Sequence, residues 1–329
     1  MKKIILVLIS VLFLINCSIE PKLSDGEKVA LKEAKADIAK MRKNPTKAEK
    51  ERILQKGKES EYLRIRIVYF KSVEKDIPMA DYYLAKNYSS RRLKQEALKW
   101  AKKGSDKGIT EASRLAGYIY ANLRDNVNAK KYYIKAMEQG DYSDDTLFRV
   151  WLYGKEREID MEVVEALKRN INKNVEVKKT LAFYYERFNR FDEAEKLYKE
   201  LVDEKYPNGE ELLGSLYMFK NEYDKAEKWL LKASEKLFSH SEDNAKNIQL
   251  KKAILLRKLA TLYEKKGEYG KAENYLLKSS KIAYKEVALM DLAELYKKQE
   301  KYSQAKKIYE ELAEAGNKLA MKRLAEFGN

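Results

Sequence analysis

The chain has few of the residues that build folds from turns and cross-links. Its 329 residues include one cysteine, one histidine, four prolines and 13 glycines. A single thiol makes no internal disulfide and builds no multi-cysteine metal site. The lone histidine, His240, is the only imidazole base open to a serine–histidine–carboxylate arrangement, and it lies in the polar stretch FSHSED with no glycine elbow nearby. Scarce glycine and proline argue against a sheet-and-turn fold. No metal-ligand run, phosphate loop or dinucleotide fingerprint occurs. Carboxylate pairs such as Glu210–Glu211 and Asp144–Asp145 are read as solvated charges or helix-start charges, where an anion is favoured. The expectation is a protein that is not an enzyme and has no catalytic residue, cofactor or metal.

What is present points to helices. Lysine, glutamate, alanine and leucine dominate, all good helix formers, and the apolar share of 44% is normal for a folded protein. The formal charge is +16, from 68 basic and 52 acidic residues. Such a balance admits nucleic acid, anionic lipid or an acidic partner. No compact Arg/Lys block with interleaved aromatics stands out, so a lysine-rich solvated surface is the simpler reading and nucleic acid is not the expected partner. Binding of an anionic polymer or lipid by the basic surface remains an alternative. The 24 tyrosines need placing.

Residues 1–17 read MKKIILVLISVLFLINC. Two lysines precede an apolar run from Ile4 to Ile15, which is too short for a permanent span of ~20 residues and has the length of a signal-peptide core. Leu14, Ile15, Asn16 and Cys17 resemble the lipobox of bacterial lipoproteins, with Asn16 standing where Gly, Ala or Ser is usual. That resemblance implies cleavage after residue 16 and lipidation of Cys17. It also implies a membrane-anchored place in the bacterial envelope, with the outer membrane favoured by Ser18 if the host is Gram-negative. Ordinary secretion and an uncleaved anchor are the alternatives. Two or more acyl chains anchor stably where one does not. Residues 17–27 then read as a tether and 28–77 as N-terminal helices.

From Pro78 the sequence repeats itself. Tyr88, Tyr120, Tyr185, Tyr217, Tyr263 and Tyr296 each follow a small residue by three positions: Ala85, Gly117, Ala182, Gly214, Ala260 and Ala293. Each precedes an alanine by nine: Ala97, Ala129, Ala194, Ala226, Ala272 and Ala305. The long gap between Tyr120 and Tyr185 implies a degenerate seventh copy around Tyr153, with Val150 and Glu162 at the small positions. About 13 extra residues fall within 234–251. Small residues on facing helices let two backbones approach, since side chains at the crossing set the 8–10 Å axial distance. One such pair cannot bury its own apolar face, whereas a stack can.

These segments resemble tetratricopeptide repeats, with some stretches closer to the related Sel-one-like repeats. Leu181, Ala182, Tyr185, Ala194 and Tyr198 match that signature, as do Leu292, Ala293, Tyr296, Ala305 and Tyr309. The resemblance implies an all-α, right-handed α–α solenoid of about seven helix pairs over 78–314, capped by a helix within 315–329. It also implies a concave groove that binds a protein or peptide. In that family the residues three before, one after and four after the small position face the groove. Here these include Tyr82, Lys86, Arg114, Tyr118, Lys179, Phe183, Glu186, Glu211, Ser215 and Met218. The mixture of aromatics and cations suits a peptide bearing carboxylates. The alternative is an ordinary solvated face with aromatics packed on their neighbours. Phe183 and Ser215 stand where the family's carboxylate clamp would use asparagine, so that clamp is not expected. Three functions follow: an interaction scaffold in the envelope, an anionic-polymer binder, or a regulatory subunit of an envelope enzyme.

Overall fold

A computed structural model describes residues 23–41, 45–154, 159–239 and 246–325. Cys17, the lipobox and His240 lie outside them. The described residues form eighteen helices, α1 to α18, and no strand. The chain divides into two compact units, Met1–Thr180 and Leu181–Asn329.

The first unit opens with α1 (Asp25–Ala39), α2 (Lys47–Glu59) and α3 (Leu63–Val73). Helix α1 begins inside the stretch expected to be a tether. Ser24 and Glu27 form a reciprocal capping box, and Thr46 with Glu49 repeats the device for α2. Each box satisfies two otherwise orphaned amides, so the chain becomes helical at Asp25 rather than Lys28. Ala34, Ile38, Ile53, Ile65 and Val73 form a core between these three helices.

Three helix pairs follow in this unit: α4 (Met79–Ser90) with α5 (Lys94–Asp106), α6 (Thr110–Asn122) with α7 (Asn126–Glu138), and α8 (Asp144–Leu152) with α9 (Met161–Asn170). Helix α10 (Val175–Arg187) begins here. The second unit contains the rest of α10 with α11 (Phe191–Asp203), α12 (Gly209–Phe219) with α13 (Tyr223–Ser239), α14 (Lys246–Lys265) with α15 (Tyr269–Ser280), and α16 (Lys285–Lys298) with α17 (Tyr302–Glu314). Helix α18 (Lys318–Ala325) follows, started by the Asn317 side chain, which accepts from the amides of Leu319 and Ala320 at 3.1 Å. The extra residues after position 234 lengthen α13 to 17 residues and α14 to 20.

One turn closes every regular pair. The residue four after each repeated tyrosine has φ between 56° and 76°: Arg92, Arg124, Asn189, Asn221, Gly267 and Glu300. The amide of the next residue donates back to the tyrosine carbonyl at 2.8–3.0 Å. This left-handed residue with its long return bond ends the first helix and aims the second back along it. The alanine nine after the tyrosine is then the fourth residue of the second helix and fully buried.

The degenerate copy departs in its turn. Tyr153 lies eight residues before the start of α9, against six from the repeated tyrosine to the second helix in the regular pairs. The fourth residue of α9 is therefore Val164, 1% exposed, and not Glu162. Glu162 stays at the surface and pairs with Lys130 at 2.6 Å. Val150 occupies the buried position expected of it.

Candidate functional site

The sequence-derived groove residues separate into two groups. In the first unit, Tyr82 and Lys86 on α4 and Arg114 and Tyr118 on α6 line one open cleft of about 230 Å³. Glu111 and Leu115 of α6, Tyr133 of α7, and Asp145 and Arg149 of α8 complete it. The first helices of successive pairs thus supply nearly the whole lining, because the turns hold each pair in one register.

The charges of the cleft are partly matched. Arg149 Nε meets both carboxylate oxygens of Asp145, at 2.9 and 3.0 Å. Its guanidinium lies 5.4 Å from the Tyr133 ring centroid, and its pKa is raised chiefly by the hydrogen bond to Asp145. Arg114 reaches Asp141 at 3.4 Å, whose carboxyl is held below its usual range: burial opposes this, and hydrogen bonds from Ser143 and Thr146 outweigh it. Lys86 is exposed and pairs with no described residue. Tyr118 is 47% exposed at the rim.

Tyr133 was not legible as a site residue, because the repeat pattern reads its position as core. It is core: fully buried, with its ring stacked on Tyr153 at 5.8 Å. Gly117 makes room for it, since a Cβ there would meet the ring at 3.0 Å. The signal in the sequence is the glycine where most repeats carry alanine. Arg149 and Asp145 were missed because the degenerate copy offers no tyrosine–alanine frame to count from.

The other predicted residues do not line this cleft. Lys179 pairs with Glu176 and lies 3.8 Å from Asp144. In the second unit, Phe183 packs edge-on to Tyr198 at 5.9 Å. Tyr198 donates to Glu186 at 2.8 Å; burial raises the pKa of that carboxyl despite the bond. Lys258 of α14, unmarked by the repeat pattern, joins Glu211 at 2.6 Å and Ser215 at 3.2 Å. Met218 is half-buried. The polar groups of this set largely satisfy one another.

Among the described residues, no group of three or more His, Cys, Asp and Glu side chains is placed to hold a metal ion. No described helix is long and apolar enough to cross a membrane.

These features define a class: an all-helical protein built from stacked helix pairs, with a side-chain-lined cleft across their first helices. Residues 211–235 and 287–315, within the pairs α12–α13 and α16–α17, match the family profile described as Tetratricopeptide repeat. No curated protein matches the sequence. Among solved structures, a tetratricopeptide repeat protein from Parabacteroides merdae is similar at 17% identity and a TM-score of 0.38, over 75% of this chain and 98% of that one. YrrB, described as a TPR protein with an unusual peptide-binding site, is similar at 19% identity and a TM-score of 0.33, over 53% of this chain and 92% of that one.

Proposed function

We propose that this protein is an interaction scaffold that takes a peptide segment of a partner protein in the first-unit cleft. It is held on a membrane of the bacterial envelope by a lipid on Cys17. The observation that carries the reading is the cleft itself. Tyr82, Lys86, Arg114 and Tyr118, which the family resemblance assigns to the groove, line one concavity with exposed aromatic and cationic groups. The tetratricopeptide-repeat match supports it. The anchor rests on the lipobox-like residues Leu14 to Cys17.

Two experiments test the two halves. A photo-crosslinking amino acid at Tyr118 captures a defined partner in intact cells, and the same group at Val127, which is exposed and outside the cleft, does not. Equal capture at both sites, or none at Tyr118, overturns the groove. A palmitate analogue labels the wild-type chain and not Cys17→Ala. Absence of label, or label that survives the substitution, overturns the anchor.

A further inference from the structure

The two units differ at the turns that close their helix pairs. The left-handed turn position is Arg92 and Arg124 in the first unit, and Asn189, Asn221, Gly267 and Glu300 in the second. Arginine is strained there where asparagine and glycine are not, and strain kept against an unstrained alternative points to a use for the side chain. Both arginines are exposed, as is Lys94, and none of the three pairs with a described residue.

The second unit neutralises its turn cations and the first does not. Directly after the repeat alanine stand Glu195, Glu227 and Glu273 in the second unit, and Leu98 and Lys130 in the first. Glu195 holds the turn residue Lys220 at 2.7 Å, and Glu227 holds Lys266 in the same way. Among the described residues no acid reaches Arg92 or Arg124. Of the acids at these two turns, Asp125 accepts from the Asn128 amide at 3.0 Å and caps α7, and Glu96 attracts Lys71.

Apolar side chains stand among these free cations. Leu93 is 41% exposed, Leu123 39% and Val127 76%. Apolar tips kept in water beside unpaired cations match a partner that is anionic at its face and apolar beneath it. A bilayer has that chemistry, and binding to its surface grows with buried apolar area and with attraction to anionic headgroups. The chain also brings the edge to such a surface. Asp25, the first residue of α1, follows Cys17 by eight residues. A lipid on Cys17 therefore keeps the start of the first unit within about 28 Å of the headgroups, and a tether makes a weak contact effectively intramolecular.

We propose that the α4–α5 and α6–α7 turns form a membrane-docking edge. Leu93, Leu123 and Val127 enter the headgroup layer, and Arg92, Lys94 and Arg124 take anionic lipid headgroups. The proposal rests on the lipid anchor proposed above and adds which edge the anchored first unit turns to the bilayer.

The test uses the lipidated full chain carrying Val127→Cys, or Glu138→Cys about 16 Å away at the far end of α7, each labelled with a polarity-sensitive fluorophore. With a lipid on the Cys17 sulfur, the new cysteine is the one free thiol. On vesicles of phosphatidylcholine with phosphatidylglycerol, the Val127 probe is expected to shift to the blue and the Glu138 probe is not. On phosphatidylcholine alone the Val127 shift is expected to shrink. Arg92→Asn with Arg124→Asn places at both turns the residue found at 189 and 221, so this variant is expected to melt no lower than wild type. Its docking constant is expected to fall roughly tenfold or more, since each cation near an anionic surface adds a factor of about five. Equal shifts at both probes, no shift, a shift indifferent to phosphatidylglycerol, or a double variant that docks like wild type each overturns the proposal. A Val127 probe that answers soluble polyglutamate and no vesicle assigns the edge to an acidic protein and overturns it too. Palmitate label with an unmoved Val127 probe removes the docking edge and leaves the anchor. A phosphatidylglycerol-dependent shift from a chain that takes no palmitate does the reverse.

Discussion

At the scale of single residues, the repeat imposes backbone conformations that its side chains do not always favour. Arg92, Arg124 and Glu300 hold the same left-handed turn position that Gly267 fills in its own pair. An L-residue other than glycine, asparagine or aspartate costs about 1–2 kcal/mol there. Glu300→Gly is therefore expected to stabilise the protein by up to about 1 kcal/mol, after the extra chain entropy of glycine is subtracted. Chemical denaturation of the pair of variants checks this, and a less stable Glu300→Gly would contradict it. The small positions are equally local in cause. A Cβ on Gly214 would sit 2.8 Å from Leu230 Cγ and 3.1 Å from its backbone nitrogen, and backbone has nowhere to move.

At the scale of elements, neighbouring helices are tied by recurrent polar pairs. In the second unit Tyr217, Tyr263 and Tyr296 each donate to a glutamate of the preceding pair. Tyr217 meets Glu195 at 2.8 Å, Tyr263 meets Glu227 at 2.8 Å and Tyr296 meets Glu273 at 2.7 Å. Each glutamate directly follows the repeat alanine. Lys220 and Lys266 join the first two from the turn that follows the tyrosine's own helix, which is where part of the lysine excess goes. A second code operates within pairs. The residue four before the small position meets the residue ten after the alanine: Asp81 with Lys107 at 2.5 Å, Ser113 with Gln139 at 2.6 Å, Glu210 with Lys236 at 3.2 Å. The last two pairs replace the polar member with buried Leu256 and Leu289.

The tyrosine–glutamate links set an acid limb for stability. Burial would raise Glu195, but hydrogen bonds from Lys199, Lys220 and Tyr217 outweigh it and hold the carboxyl at about 2, against an ordinary 4.5. The Tyr217 phenol is pushed up to about 12, by burial first and then by Glu195. A depressed carboxyl contributes its stability above the unfolded value and loses it as pH falls through the folded one. Wild type is therefore expected to exceed Glu195→Gln at neutral pH, with the difference shrinking from about pH 4.5 to about pH 2. A difference that is flat across that window would show that the links do not titrate as described. Denaturation midpoints taken at fixed ionic strength make the measurement.

At the scale of the whole molecule, each unit is an array in which a helix pair touches chiefly its sequence neighbours. Stability in such arrays is close to a sum of pair terms and nearest-neighbour interface terms. Gly214→Ala, which forces Leu230 outward, is expected to cost about 1–3 kcal/mol. Its effect on hydrogen exchange should be local, with α11 to α14 losing protection before α4 to α7. A uniform loss across both units would mean that the chain unfolds as one cooperative body. The same locality explains how the extra residues after position 234 are absorbed by longer helices without disturbing α16 and α17.

The fold was largely legible in the sequence because its determinants are local and periodic. A small residue, a tyrosine and an alanine at fixed spacing dictate a helix, a left-handed turn and a second helix, and that spacing survives without any tertiary information. The start of α1 was legible too, in Ser24 and Glu27, although the proline and glycine around them read as a tether. The turn of the degenerate copy was not, because two added residues move the buried position from Glu162 to Val164 and only packing reveals the shift. The cleft was half legible: the groove positions implied by the family resemblance gave Tyr82, Lys86, Arg114 and Tyr118, but not Arg149 or Tyr133. Sequence by itself determined the helix pairs and which faces they turn to one another. Tertiary structure alone decided that Tyr198 donates to Glu186 while Tyr133 has no such carboxylate, because a hydrogen bond depends on what a neighbouring helix brings within about 3 Å and no spacing along one chain encodes that distance.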